Sequence, residues 1–217
     1  MKYIVKNNEP QSLIDWKKND KMFQRGKPDW KRFKHSKNKK IQDELIESLK
    51  KEQGYICCYC ERELIVGNCH IEHLKPKATN KYPELQLEYN NLLCSCQLEI
   101  DKGEPRHCGN SKGSWYDDDL LISPLDADCE IKFKYFGDGN IDHINKASEQ
   151  TIIHLQLGID KLIALRKGVI DTFIFVDPVT KNELLNDEDR KEYTKQYLQI
   201  VNGKVNEFYT TIKYLFE

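Results

Sequence analysis

Two stretches decide how this chain reads: Cys57-Cys58-Tyr59-Cys60 and, nine residues on, Cys69-His70-Ile71-Glu72-His73-Leu74-Lys75-Pro76-Lys77. Cys57-x2-Cys60 sets two thiolates on one tight turn, a spacing that suits one tetrahedral zinc ion. Structural zinc usually takes four ligands, so a second pair is required from Cys69, Cys94, Cys96, Cys108 and Cys129. Cys96 and Cys108 flank the rest of the motif region and are the expected partners. Cys58, Cys69, Cys94 and Cys129 read as buried reduced thiols, since free cysteine is among the most buried residue types. Glu72 and His73 then stand adjacent between the two cysteine pairs, and His107, Asn110 and Lys112 surround Cys108.

Outward from this centre the chain has 217 residues, 39% hydrophobic and 32% charged. That suits one sizeable domain or two small ones with a very polar surface. No apolar run approaches the roughly 20 residues of a membrane span, and Met1–Asn8 lacks the apolar core of a secretory signal, so a cytoplasmic protein with no membrane partner is expected. Eight closely spaced cysteines in a reducing compartment point to metal before disulfide. The net charge of −1 hides an asymmetry: residues 1–53 carry 15 Lys+Arg against 8 Asp+Glu, residues 54–116 carry 7 against 8, and residues 117–217 carry 12 against 19. Three segments follow: a basic helical arm (1–53), a zinc-bound core (54–116), and a hairpin with an acidic helical region (117–217), possible parts of one continuous domain.

In the arm, residues 17–40 hold 11 Lys+Arg interleaved with Phe23, Trp30 and Phe33, next to Trp16. Cations beside flat rings suit phosphate attraction and base stacking; the competing reading is a solvated segment whose rings dock on the core. Ile41, Leu45, Ile46 and Leu49 form one helical stripe within Ser36–Gln53, with Gly54 as the stop. Its task is to hold the cysteine centre against the core. Ile131, Phe133 and Tyr135 alternate with lysines as a half-buried strand, and Asp138-Gly139 turns the chain toward Ile141. Helix is expected after Asn145 with a break at Gly158. A helix or helix pair is expected over about 187–216, with Tyr193, Tyr197, Ile200, Val201, Val205 and Phe208 inward.

The order Cys57-x2-Cys60, Glu72-His73, Asn91-Leu92-Leu93, Cys96, Cys108 resembles the HNH endonuclease superfamily. Asn91-Leu92-Leu93-x-Ser95-Cys96, then His107-Cys108-Gly109-x-x-Lys112-Gly113, is similar to the HNH branch found with retrons and Septu-type anti-phage systems. Ile122-Ser123-Pro124-Leu125, Cys129-Glu130, Phe133-x-Tyr135 and the Trp16 region also fit that branch, so the likeness spans most of residues 10–160. The resemblance implies an α+β fold, a zinc-clamped ββα-metal core wrapped by N- and C-terminal helices with a short antiparallel hairpin. It also implies a nuclease subunit beside an ABC/SMC-like ATPase.

Phosphodiester hydrolysis needs an activated water, neutralised phosphate charge and help for the leaving oxygen. On the resemblance, His73 is the general base. Glu72 and the amide oxygen of Asn110 supply oxygen ligands to a catalytic Mg2+ or Mn2+, and Asn91 holds the loop that carries His73. Adjacent strand residues point to opposite faces, so Glu72 and His73 serve together only where the strand ends or bends. Glu72 stands where the family often has Asp. Gly109 stands where many members have His or Asn, leaving Asn110 or His107 for that role, with Asn110 favoured and His107 a further zinc or phosphate contact. His70 is a supporting residue or a structural one. Lys75, Lys77 and Lys112 are phosphate contacts or ordinary surface charges, and His35, His143 and His154 are non-catalytic. The leading expectation is a metal-dependent endonuclease acting on nucleic acid, DNA before RNA, in anti-phage defence. The alternatives are a zinc-stabilised nucleic-acid-binding or partner-docking module without catalysis, an RNA-cleaving nuclease of the tRNA type, and a nuclease silent until its ATPase docks.

Overall fold

In the computed structural model, described for residues 1–77 and 81–217, helices α1 (Gln11–Asn19), α2 (Trp30–Phe33) and α3 (Lys39–Glu52) precede strands β1 (Cys69–His73) and β2 (Leu92–Cys96) and the short helix α4 (Gly109–Lys112). Strands β3 (Phe133–Tyr135) and β4 (Ile141–His143) then lead into α5 (Lys146–Leu155), α6 (Asp160–Ile174), α7 (Asp187–Tyr197) and α8 (Tyr209–Phe216). Each strand pair forms its own two-stranded antiparallel sheet. The fold is thus a mixture of helix and small antiparallel hairpins.

Helix α3 buries Leu45 and Leu49 completely. It ends where Gly54 turns left-handed, with the Gly54 N–H on the Lys51 carbonyl and the Tyr55 N–H on the Lys50 carbonyl, the paired bonds that close a helix at a C-terminal glycine. Beyond the helix, Gln53 donates to the Ile56 and Cys94 carbonyls and accepts from the Cys94 N–H. That one buried amide fastens the helix end to the cysteine turn and to β2.

The β1–β2 register pairs Cys69 with Cys96, His70 with Ser95, Glu72 with Leu93 and His73 with Leu92. The period of two then sorts the side chains: His70 and Glu72 share one face, and Cys69, Ile71 and His73 share the other. The Ser95 hydroxyl, wholly buried, accepts from the Gly109 N–H at 3.2 Å and fixes the start of α4 over β2.

One apolar core runs from Leu13 and Phe33 of the arm through Leu92 and Leu93 to Phe133, Leu155 and Leu162. A smaller cluster joins Ile170, Phe173 and Ile212. Glu61, beside the cysteine turn, bonds the Thr210 N–H and ties α8 to the centre. Asn145 and Ser148 form a reciprocal cap on α5, and the φ of 89° at Gly139 makes the β3–β4 turn.

Several inward expectations are corrected. Ile131 lies in a short 3-10 turn before β3 and is 71% exposed, because the chain reaches extended geometry only at Phe133. Ile200 and Val201 are exposed in the loop between α7 and α8, which turns where a continued helix would have aimed them inward; Tyr193, within α7, lies near the surface with its ring stacked on Phe173. In the arm, Phe33 is fully buried while Trp16, Phe23 and Trp30 pack against the core. Docking therefore wins over a free stacking platform for Phe33.

Candidate active site and metal centre

Cys57 and Cys60 come from the turn after α3, Cys96 ends β2, and Cys108 precedes α4. The four sulfurs lie within 4.8 Å of one another and all four residues are buried. Cys60 Sγ and Cys96 Sγ are 3.8 Å apart, matching the edge of about 3.8 Å for a tetrahedron with Zn–S bonds of about 2.3 Å. The donor set therefore fits one tetrahedral metal ion such as zinc. Burial opposes ionisation of Cys57, but hydrogen bonds from Cys108, Cys58, Cys60 and Cys96 carry its pKa well below the usual thiol value. A metal would take over the task of stabilising that charge. No other group of three or more metal-binding side chains occurs among the described residues.

His107 sits against this centre. Its Nδ1 lies 3.2 Å from Cys108 Sγ and 3.7 Å from Cys96 Sγ, and its Nε2 is buried without a partner among the described residues. Burial pushes its pKa down to about 4. The neutral ring thus serves the thiols and lies apart from the Glu72 contacts. Asn110 donates its side-chain amide to the Gln97 carbonyl, on the cysteine side of α4. The structure does not bring Asn110 or His107 onto Glu72.

Glu72 is surrounded by other groups. Its Oε1 accepts from Lys112 Nζ at 2.8 Å and from the Tyr59 hydroxyl at 3.2 Å, and its Oε2 lies 3.9 Å from His70 Nε2. Lys112 also donates to the His73 carbonyl at 3.0 Å and its side chain is wholly buried. It is a counter-ion that holds the strand end, where a phosphate contact or a surface charge was expected. Lys77 is exposed, near enough to Glu72 to feel its charge and 5.6 Å over the Trp30 ring. Lys75 pairs with Asp118 between the Tyr82 and Tyr116 rings.

His73 is 4% exposed. Its Nε2–H donates to the Gln86 carbonyl at 3.0 Å, and Trp30 meets the ring edge-on at 4.4 Å. Trp30 is itself held by Gln86, whose side-chain oxygen accepts from the Trp30 N–H. Because Nε2 carries the proton, Nδ1 keeps its lone pair, and that atom is buried with no hydrogen-bond partner among the described residues. Burial, reinforced by Lys77, pushes the His73 pKa down to about 3. Asn91 accepts from the Lys75 N–H and donates to the Lys75 and Leu85 carbonyls. It thus clamps both ends of the segment between the strands, one residue before Gln86.

The chain is 33% identical over 175 residues to a protein of Vibrio cholerae serotype O1 biovar El Tor described as "Retron Vc95 putative HNH endonuclease", spanning 76% of this chain and 78% of that one. The chain belongs to the HNH endonuclease superfamily. A second member, "Retron Ec83 putative HNH endonuclease" of Escherichia coli, is 32% identical over 110 residues, 48% of this chain and 40% of its own length. No family model matches. Within this HNH chain, three residues near the motif were not singled out for the site by spacing: Trp30 and Gln86 against His73, and Tyr59 on Glu72. Tyr59 lay inside the cysteine turn, where its position was the only signal. Trp30 and Gln86 are 43 and 13 residues from His73, and nothing local marks them.

Proposed function

We propose that this chain is a metal-dependent HNH endonuclease that hydrolyses phosphodiester bonds of nucleic acid, DNA before RNA. On this reading it is the nuclease subunit of an anti-phage system with an ABC/SMC-like ATPase partner. The observation that carries the reading is the buried lone pair on His73 Nδ1, which has no partner among the described residues. A buried acceptor without a donor costs about 1–3 kcal/mol, and packing alone gives no reason to keep it. It lies in a ring oriented by Gln86 and Trp30, on a strand end flanked by Glu72, Lys77 and Lys112.

In this reading His73 Nδ1 takes the proton from the attacking water, and Nε2–H on Gln86 fixes the tautomer. Lys77 attracts the phosphate. Lys112 and Tyr59 hold the Glu72 carboxylate in one orientation, and Asn91 keeps the loop that presents Gln86 in place. A divalent cation such as Mg2+ or Mn2+ bound at Glu72 would supply charge neutralisation at the phosphate. The thiolate zinc holds β2 and α4 in register and takes no part in the chemistry. The names of the retron relatives support the nuclease class; the anti-phage role and the ATPase extend it by resemblance.

The burial of His73 favours a second reading, a nuclease closed until its partner docks. Cleavage of plasmid DNA and total cellular RNA, with Mg2+ or Mn2+ and with or without an ABC/SMC-like ATPase, separates the readings. Cutting by the isolated chain supports the first, and cutting only in the complex supports the second. Cutting of RNA alone selects the RNase alternative. Binding of nucleic acid without cutting under every condition leaves the non-catalytic module.

A further inference from the structure

We infer, resting on the nuclease reading, that the second protein ligand of the catalytic cation is His70, and that Gly109 clears the space in which the cation sits. His70 and Glu72 are two apart on β1 and share one face. Glu72 Oε1 is already taken by two donors, Lys112 and Tyr59. That leaves Oε2 facing His70 Nε2 across 3.9 Å. The gap is too long for a hydrogen bond. A closure of the gap by less than about 1 Å, by a turn of either side chain, lets one ion bind both atoms with bonds of about 2.0–2.2 Å.

Gly109 supplies the independent observation. A Cβ built there would lie 2.6 Å from Glu72 Oε2 and 2.8 Å from His70 Nε2. The first residue of α4 therefore points at the gap between these two atoms, and any side chain would fill it. Asn110, one residue on, spends its amide on Gln97. The glycine that looked like a departure from the superfamily pattern becomes the condition for a histidine donated from the strand. A ligand set of imidazole nitrogen plus carboxylate oxygen suits Mn2+ or Co2+ better than Mg2+, which prefers oxygen throughout.

The test is Mn2+ binding to the full zinc-loaded chain, followed by electron paramagnetic resonance, in which zinc is silent. Wild type should bind Mn2+ and show nitrogen-14 coupling from one imidazole. His70→Ala should abolish that coupling and weaken Mn2+ binding at least about tenfold, with His70→Gln as a second variant should the first melt early. Gly109→Ala should weaken binding with zinc content intact, and Asn110→Ala should leave Mn2+ affinity and coupling unchanged. Coupling that persists in both His70 variants, its absence from Mn2+-bound wild type, or failure of wild type to bind Mn2+ overturns the assignment. Metal-dependent cleavage measured alongside keeps the two claims apart. Cleavage that needs His73 but shows no His70 coupling sinks the ligand assignment and leaves the nuclease standing; His70 coupling without any cleavage does the reverse.

Discussion

The β1–β2 hairpin carries two polar centres built on opposite principles. At the thiol centre every donor is turned on the others: four sulfurs, all buried, close enough for one ion. At the Glu72–His73 end the groups are also buried, but each is held on one side and keeps one valence unused. Glu72 Oε1 is occupied while Oε2 faces a gap, and His73 Nε2 is bonded while Nδ1 has no partner among the described residues. A closed ligand set stabilises a fold, whereas an open valence held rigidly is what a reacting centre needs. Ser95 and Gly109 join the two, so the first centre sets the geometry of the second.

Breaking the closed centre should have the largest effect. Cys57→Ser or Cys96→Ser should lose the bound metal and the cooperative melt, since structural zinc couples on the order of 10 kcal/mol to folding. Metal analysis and circular dichroism check this, and a metal-free variant that melts like wild type would dissolve the distinction between the centres. Next comes the support behind the open centre. Lys112→Met strands a buried carboxylate and should cost about 3–5 kcal/mol in urea unfolding; a change under about 1 kcal/mol would mean that Glu72 does not rely on it. Asn91→Ala removes three bonds from the inter-strand clamp and should cost about 1–3 kcal/mol, with loss of cleavage beyond what the stability change explains.

The pH dependence follows from His73. Its folded pKa of about 3 lies below the ordinary histidine value. Between about pH 6.5 and 3 the unfolded chain binds a proton that the folded chain refuses. His73 therefore makes stability fall as pH drops through that window and contributes no slope above it. Comparing unfolding free energies at pH 7 and pH 5 in wild type and His73→Asn should show a shallower fall in the variant; equal slopes would place the ring in water. The smallest effect belongs to Ile131→Ser, within about 0.5 kcal/mol at an exposed turn; a larger loss would restore Ile131 to the core.

The closed centre was legible because its logic is local. A CxxC on a tight turn calls for two more thiolates, Cys96 and Cys108 stood out of five candidates by flanking the motif, and the helix before them shows its stripe and its glycine stop. The open centre was half legible. Glu72, His73 and Asn91 carry a pattern, but Trp30 and Gln86 reach His73 only through tertiary packing. The burial of Lys112 depends on α4 closing over the hairpin, and a lysine in sequence looks the same whether solvated or sealed. Gly109 was visible as an exception, yet what its missing Cβ makes room for depends on β1. Ile131 failed because alternation continues through a turn that the backbone does not extend.

Cleavage by His73→Ala with bound zinc and melting temperature unchanged tests the central claim most directly, assayed with Mn2+ and, where wild type requires it, the proposed ATPase. The expected result is a loss of about 10²–10⁴-fold with zinc still stoichiometric. Cleavage at the wild-type rate would show that the unpartnered nitrogen takes no proton, and that the open end of the hairpin is not where the phosphodiester is broken.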